Sequence, residues 1–143
     1  MSSFWRNWLT VWCWAVGVFG AVLAGGAFDA TSLPTRLFFG LLNGPAPLDL
    51  QAQARFSLGV LGAVTLGWSL TLAAAIRAAI QLGEQGRPTW LLVTASAVTW
   101  FVIDTPLSIA TGYGLNAIPN VIFLAAFLAP VLASGVLRQP AVR

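Results

Sequence analysis

Residues 7–28 read NWLTVWCWAVGVFGAVLAGGAF, a run of 22 residues without a charged side chain between Arg6 and Asp29. A helix of about 20 apolar residues, rising about 1.5 Å per residue, crosses the hydrocarbon core of a bilayer. A second charge-free run of 21 residues covers 56–76. Each run is long enough for one transmembrane helix.

Two further charge-free runs cover 88–103 and 105–137. The longer of them is interrupted at 111–116 by TGYGLN, whose glycines and asparagine are typical of a turn. The four runs together predict helices at about 5–28, 55–77, 89–110 and 117–137.

Composition points to the same fold class. Hydrophobic residues make up 58% of the 143 residues and charged residues only 8%, whereas a soluble domain has about 25% charged residues. So few charges cannot cover a water-facing surface. We therefore expect an all-α integral membrane protein in which residues 1–143 form one four-helix bundle.

The first connection, 29–54, is the longest. Its apolar stretch at 37–42 is too short to span a bilayer, and Pro34 precedes it at a position suited to a first helical turn. The stretch predicts a short interfacial or re-entrant helix, and Pro45 and Pro47 predict an extended linker after it.

The arginines indicate orientation. In a four-span topology five fall on one side of the bilayer and two on the other, and cytoplasmic loops are the ones enriched in basic residues. The bias places both termini in the cytoplasm. The five are Arg6, Arg77, Arg87, Arg138 and Arg143, and the two are Arg36 and Arg55.

Several function classes are disfavoured. The chain has one cysteine, Cys13, and no histidine, so a metal or haem site is not expected. The arginines are spread singly, which does not indicate a nucleic-acid surface. We expect no cofactor, no nucleic-acid partner and no catalytic residues.

Three helices carry small residues four apart, a spacing that places them on one helix face. In lipid, such ridges let helix backbones approach closely, either within one bundle or between subunits. The predicted ridges are Gly17, Ala21 and Gly25; Gly59, Ala63 and Gly67; and Ala125, Ala129 and Ala133.

Trp5, Trp8 and Trp12 share one face of the first helix. Tryptophan favours the headgroup level of a bilayer, so the three predict an interfacial anchor. A stacking face for a lipid, quinone or pigment is the alternative interpretation.

Asp104 is the one carboxylate expected inside a span, about 21 Å along a helix that begins at Trp90. A charge in a bilayer needs partners. Side chains expected close to it, near the outer leaflet, are Ser108, Asn116, Asn120 and Arg55. We expect either an Arg55–Asp104 pair or Asp104 held by the two asparagines.

That cluster has two interpretations. It is a polar clamp between helices, or a site for a ligand or a proton that faces a periplasmic cavity.

The layout of four short helices, together with Arg55-x3-Gly59-x2-Gly62, resembles the DoxX-like group of small bacterial membrane proteins. The resemblance covers mainly residues 33–80. It implies a four-helix bundle in the bacterial inner membrane and transfers no functional residues.

Two functions follow as hypotheses. The first is a non-enzymatic membrane protein that acts through helix–helix contacts, as an accessory or assembly subunit or a homo-oligomer. The alternative is a small-solute or proton-linked transporter, or a ligand-binding membrane protein, that uses the cluster around Asp104.

Overall fold

The structure, a computed structural model, describes residues 1–43 and 50–138, with the backbone alone at Asn43. These residues form helices and turns, and no strand occurs among them. The five α-helices are α1 (Ser3–Gly25), α2 (Leu33–Asn43), α3 (Ala52–Gln81), α4 (Arg87–Ala110) and α5 (Ala117–Ala133). Short 3-10 turns precede α2, α4 and α5.

Four of the helices are long and apolar enough to cross a membrane. They are α1 and α3 alone, and α4 and α5 each taken together with the 3-10 turn before it. This confirms the predicted all-helical architecture and the number of long helices. The short α2 occupies the first connection, as predicted, and Pro34 lies in its first turn. The linker predicted around Pro45 and Pro47 lies outside the described residues.

The helix boundaries depart from the charge-free runs in both directions. Helix α3 extends beyond both Arg55 and Arg77, because an arginine marks the edge of an apolar run without breaking a helix. Helix α1 begins earlier, where the Ser2 hydroxyl accepts a hydrogen bond from the Trp5 amide at 3.4 Å. Helix α5 ends before its predicted limit, and Gly135 follows it with a φ of 63°.

The long helices form a ring in which α1 contacts α3 and α5, and α4 contacts the same two. Helix α2 contacts α1 and the α4–α5 turn, so it covers one end of the ring. We call this end, with the α1–α3 connection and the α4–α5 turn, the loop end. The opposite end, with the start of α1, the α3–α4 turn and the end of α5, is the terminal end.

Helices α1 and α3 meet at a glycine contact. A Cβ added to Gly62 would lie 2.6 Å from both Ala24 Cα and Gly20 O, and one added to Gly20 would lie 2.8 Å from Leu66 N. Only a residue without a side chain permits backbones this close.

The predicted ridges only partly coincide with this contact. Gly17 is buried, and a Cβ there would lie 2.9 Å from Ser69 Oγ. Gly59 and Gly25 have close neighbours in Ala27 and Thr31. The closest approach of the two helices is on the Gly20–Gly62 side, so the other members of the α1 and α3 ridges take no part in it, and their role in contacts between subunits remains a prediction. Ala21, Ala63 and Gly67 are exposed, and so are Ala125, Ala129 and Ala133 on α5.

The tryptophans of α1 also differ from a simple surface anchor. Trp12 is only 7% exposed and packs against Phe127, with ring centroids 5.1 Å apart. Its Nε1 donates to the Phe123 carbonyl at 3.0 Å, and Trp8 Nε1 donates to the Ala126 carbonyl at 2.8 Å. The Ala126 carbonyl needs a donor because residue 130, four positions later, is a proline without an N–H.

Apolar side chains fill the terminal half of the ring. Twelve buried residues from α1, α3, α4 and α5 form one cluster there, with Trp90 and Phe127 among the largest. A smaller cluster of Leu23, Leu50 and Leu58 lies at the loop end. Between the two clusters lies a partly open cavity, and three of its lining residues, Leu61, Val64 and Leu107, are exposed.

Candidate functional site

A cavity of about 660 Å³ occupies the loop half of the bundle. All five helices contribute to its wall, and most of the lining side chains are apolar. Ligand sites in proteins are typically cavities of about 300–1,000 Å³ with apolar walls and a few polar groups. The polar groups here include Asp104, Ser108, Asn116 and Asn120, four of the five residues that the sequence predicts.

Asp104 accepts hydrogen bonds from both asparagines through one oxygen. Asn120 Nδ2 donates to Asp104 Oδ2 at 2.6 Å, and Asn116 Nδ2 donates to the same oxygen at 3.1 Å. Asn120 Nδ2 also donates to Thr105 Oγ1 at 3.0 Å, and Asn116 Nδ2 to Ser108 Oγ at 2.9 Å. This is the second of the two predicted arrangements. The role of these residues in ligand binding remains a prediction.

The local sequence explains how these polar side chains come together. Asp104 and Ser108 are one helical turn apart near the end of α4, and Asn116 and Asn120 are one turn apart at the start of α5. The chain reverses between them in a short turn in which Gly112 has a φ of 88°. The hairpin therefore brings two asparagine side chains against one carboxylate without a long-range contact.

Arg55 does not belong to the site, and the predicted Arg55–Asp104 pair is wrong. The Arg55 guanidinium forms an ion pair with Asp29, and its Nε donates to the Leu50 carbonyl at 2.7 Å. The Asp29 side chain is 82% exposed. Pairing there requires little desolvation, whereas moving the guanidinium to Asp104 would remove it from water.

Asp104 therefore has no cationic partner in the cavity. None of the described residues that line it is an arginine. The two ion pairs among the described residues, Asp29–Arg55 and Asp29–Arg36, lie at the loop end outside the cavity. No described residue donates a hydrogen bond to Asp104 Oδ1. Within the described part of the chain, one oxygen of the Asp104 carboxylate therefore has no partner.

Aromatic rings form much of the wall, and sequence reasoning missed those from outside the long helices. Phe39 of α2 packs edge-to-face against Tyr113 of the α4–α5 turn, with centroids 5.9 Å apart, and both line the cavity. Trp68 and Trp100 line it from α3 and α4, 6.3 Å apart. The amphipathic pattern of α2 predicted that helix but not which face it turns to the bundle.

The arrangement supports binding more readily than bond chemistry. A single carboxylate with two amide donors can orient a charged or hydrogen-bonding group. The described part of the chain has no group of three or more His, Cys, Asp or Glu that could hold a metal ion.

Comparison of the chain with models of known families, with curated proteins and with solved structures finds no match. The resemblance to the DoxX-like group therefore adds no residue roles, and the cavity itself is what indicates a function.

Proposed function

We propose that the protein is an integral membrane protein of the bacterial inner membrane that binds a small hydrophobic cation in the cavity beside Asp104. Transport of that cation, linked to protons or not, would use the same site. The terminal end carries Arg6, Arg77, Arg87 and Arg138, whereas the loop end carries Arg36 and Arg55. The positive-inside rule then favours a cytoplasmic terminal end, so the cavity lies in the outer half of the bilayer.

The charge of the ligand follows from the wall of the cavity. Asp104 is the only ionisable carboxylate among the described lining residues, and no arginine accompanies it. A cation that enters would meet the free Oδ1 and would lie among Trp68, Trp100 and Tyr113, whose ring faces attract positive charge. An anion would meet a carboxylate with no compensating group.

The hydrophobic character follows from the rest of the wall, which is formed by aliphatic and aromatic side chains of every helix. Burial of apolar surface supplies most of the binding free energy in such a site, and the polar group fixes orientation. The observation that carries the proposal is a carboxylate that no described residue pairs with a cation, inside an apolar cavity of about 660 Å³.

A pair of probes of matched size and opposite charge tests the proposal. Tetraphenylphosphonium and tetraphenylborate are titrated into the detergent-solubilised protein, and quenching of tryptophan fluorescence reports entry because Trp12, Trp68 and Trp100 line the cavity. The cation is expected to quench saturably and the anion is not. Equal quenching by both ions would show unspecific partition and would contradict the proposal.

A second candidate function is association through helix contacts, as an accessory subunit or a homo-oligomer. It is favoured by the exposed ridge of α5, which leaves small residues facing outward. Native mass spectrometry from mild detergents would test it. A larger assembly that Ala129→Leu disrupts would support this function, and a monomer in every detergent would contradict it.

A further inference from the structure

A second cavity, of about 500 Å³, lies at the terminal end of the bundle, opposite the loop half that holds the Asp104 cluster. Its wall is formed by the start of α1, the α3–α4 turn, the start of α4 and the residues after α5. Three arginines and one glutamate line it: Arg6, Arg87, Arg138 and Glu84.

None of the three arginines has an ion-pair partner among the described residues. Both ion pairs of the described residues lie at the loop end, so neither Arg6 nor Arg138 is neutralised. Arg87 uses its Nε to donate to the Leu137 carbonyl at 3.0 Å, which leaves its other guanidinium nitrogens for another acceptor. Three converging guanidinium groups against one carboxylate form a site of net positive charge.

A buried hydroxyl group adds to the site. Ser134 lines the same cavity, and its Oγ is shielded from solvent without a hydrogen-bond partner in the described part of the chain. A buried hydroxyl is unfavourable until it finds an acceptor. An oxygen of a bound anion would supply that acceptor once the Ser134 side chain turns toward the cavity, since the hydroxyl is closed to solvent in the unliganded structure.

The other walls are apolar. Ile80, Trp90 and Val136 line the cavity beside the arginines. A ligand that combines a phosphate group with apolar surface complements both kinds of wall, and basic pockets between transmembrane helices on the cytoplasmic side are suited to phospholipid headgroups.

We propose that this cavity binds the phosphate group of an anionic phospholipid, with Arg6, Arg87 and Arg138 as its ligands. The site is independent of the proposed cation site. Arg77 provides a matched control, since it lies in the last turns of α3 at the same end but does not line the cavity. Its removal changes the net charge of this end by the same amount as removal of Arg6 or Arg138.

Native mass spectrometry of the full chain tests the site. Phosphatidylglycerol and phosphatidylcholine with identical acyl chains are added in equal amounts to protein in a neutral detergent, and the retained lipid is counted. The wild type is expected to retain phosphatidylglycerol preferentially. Arg6→Gln and Arg138→Gln should each lower that retention about fivefold, and Arg77→Gln should preserve it. Arg6 and Arg138 are exposed, so their glutamine variants are expected to fold.

Two results would overturn the site. Equal retention of both lipids would show that the site does not select an anionic lipid, and an equal loss in Arg77→Gln would show that diffuse surface charge is responsible. A third arm distinguishes the source of the phosphate. Glycerol 3-phosphate has a phosphate group but no acyl chain. If it stabilises the wild type but not Arg6→Gln, and the wild type shows no preference for phosphatidylglycerol, the ligand is a soluble phosphate and the lipid assignment is wrong.

Discussion

Asn120 and Asp104 form the shortest of the hydrogen bonds that join α5 to α4 in the candidate site, with 2.6 Å between Asn120 Nδ2 and Asp104 Oδ2. Asn120 is 4% exposed and also donates to Thr105 Oγ1. The same side chain connects the two helices, and among the described residues the other carboxylate oxygen has no donor. The pair joins the two helices, and in the proposed function its carboxylate also contacts the ligand.

The structural part of this role predicts that Asn120→Ala is destabilising. The substitution removes a hydrogen bond to a carboxylate and leaves Thr105 without its donor, so the free energy of unfolding should fall by about 1–3 kcal/mol. Thermal unfolding followed by tryptophan fluorescence measures the change. Asn7→Ala, at an exposed position of α1, is the control and should be nearly neutral. An Asn120→Ala protein as stable as the wild type would show that the bond contributes nothing.

The glycine contact between α1 and α3 predicts opposite effects at two positions of one helix. Gly62→Ala should destabilise the bundle by about 1–3 kcal/mol, because the new Cβ would lie 2.6 Å from Ala24 Cα and force the helices apart. Gly67→Ala should be neutral or stabilising by up to about 1 kcal/mol, since no atom lies within 4 Å of its Cβ and alanine favours a helix. Midpoints of thermal unfolding compare the two. The contact is not what holds α1 to α3 if both variants behave alike.

Trp8 and Pro130 should be thermodynamically coupled. Trp8→Phe removes the indole N–H that serves the Ala126 carbonyl and should cost about 0.5–1.5 kcal/mol. In a Pro130→Ala background the helix supplies its own amide donor, so Trp8→Phe should cost less there. A double-mutant cycle measures the difference and cancels the packing change at residue 130. Additive effects would refute the coupling, and Trp14→Phe, at a residue 70% exposed, is the control.

These contacts show where sequence reasoning succeeds. The four long helices were predictable because charge-free runs of about 20 residues have few alternatives to a spanning helix. The Asp104–Asn116–Asn120 cluster was predictable because its members lie on one hairpin, where helical spacing and a short turn determine proximity. In both cases the information is local.

The errors concern contacts between distant segments. Asp29 follows α1 and Arg55 begins α3, so topology brings them to the same end, but spacing alone does not show that an exposed pair forms more readily than a buried one. The position of the α1–α3 contact was missed for a similar reason. The spacing of Gly59, Ala63 and Gly67 is a valid helix face, yet packing selected the neighbouring face with Gly62.

The structure also predicts that Arg55 is irrelevant to ligand binding. Its guanidinium is committed to Asp29 and the Leu50 carbonyl outside the cavity. Arg55→Gln should therefore leave the affinity for a hydrophobic cation within about twofold of the wild type, because only screened long-range charge changes. Isothermal titration calorimetry with tetraphenylphosphonium gives the value. A large change in affinity would show that Arg55 does contribute to ligand binding.

The same titration with Asp104→Asn is the most direct test of the central claim, that the Asp104 carboxylate recognises a cation in the cavity. Asparagine preserves the size of the side chain and still accepts a hydrogen bond from Asn120, so the fold should be retained. The affinity for tetraphenylphosphonium should fall by about 30-fold, equivalent to about 2 kcal/mol. A folded Asp104→Asn protein that binds this cation as tightly as the wild type would contradict the account.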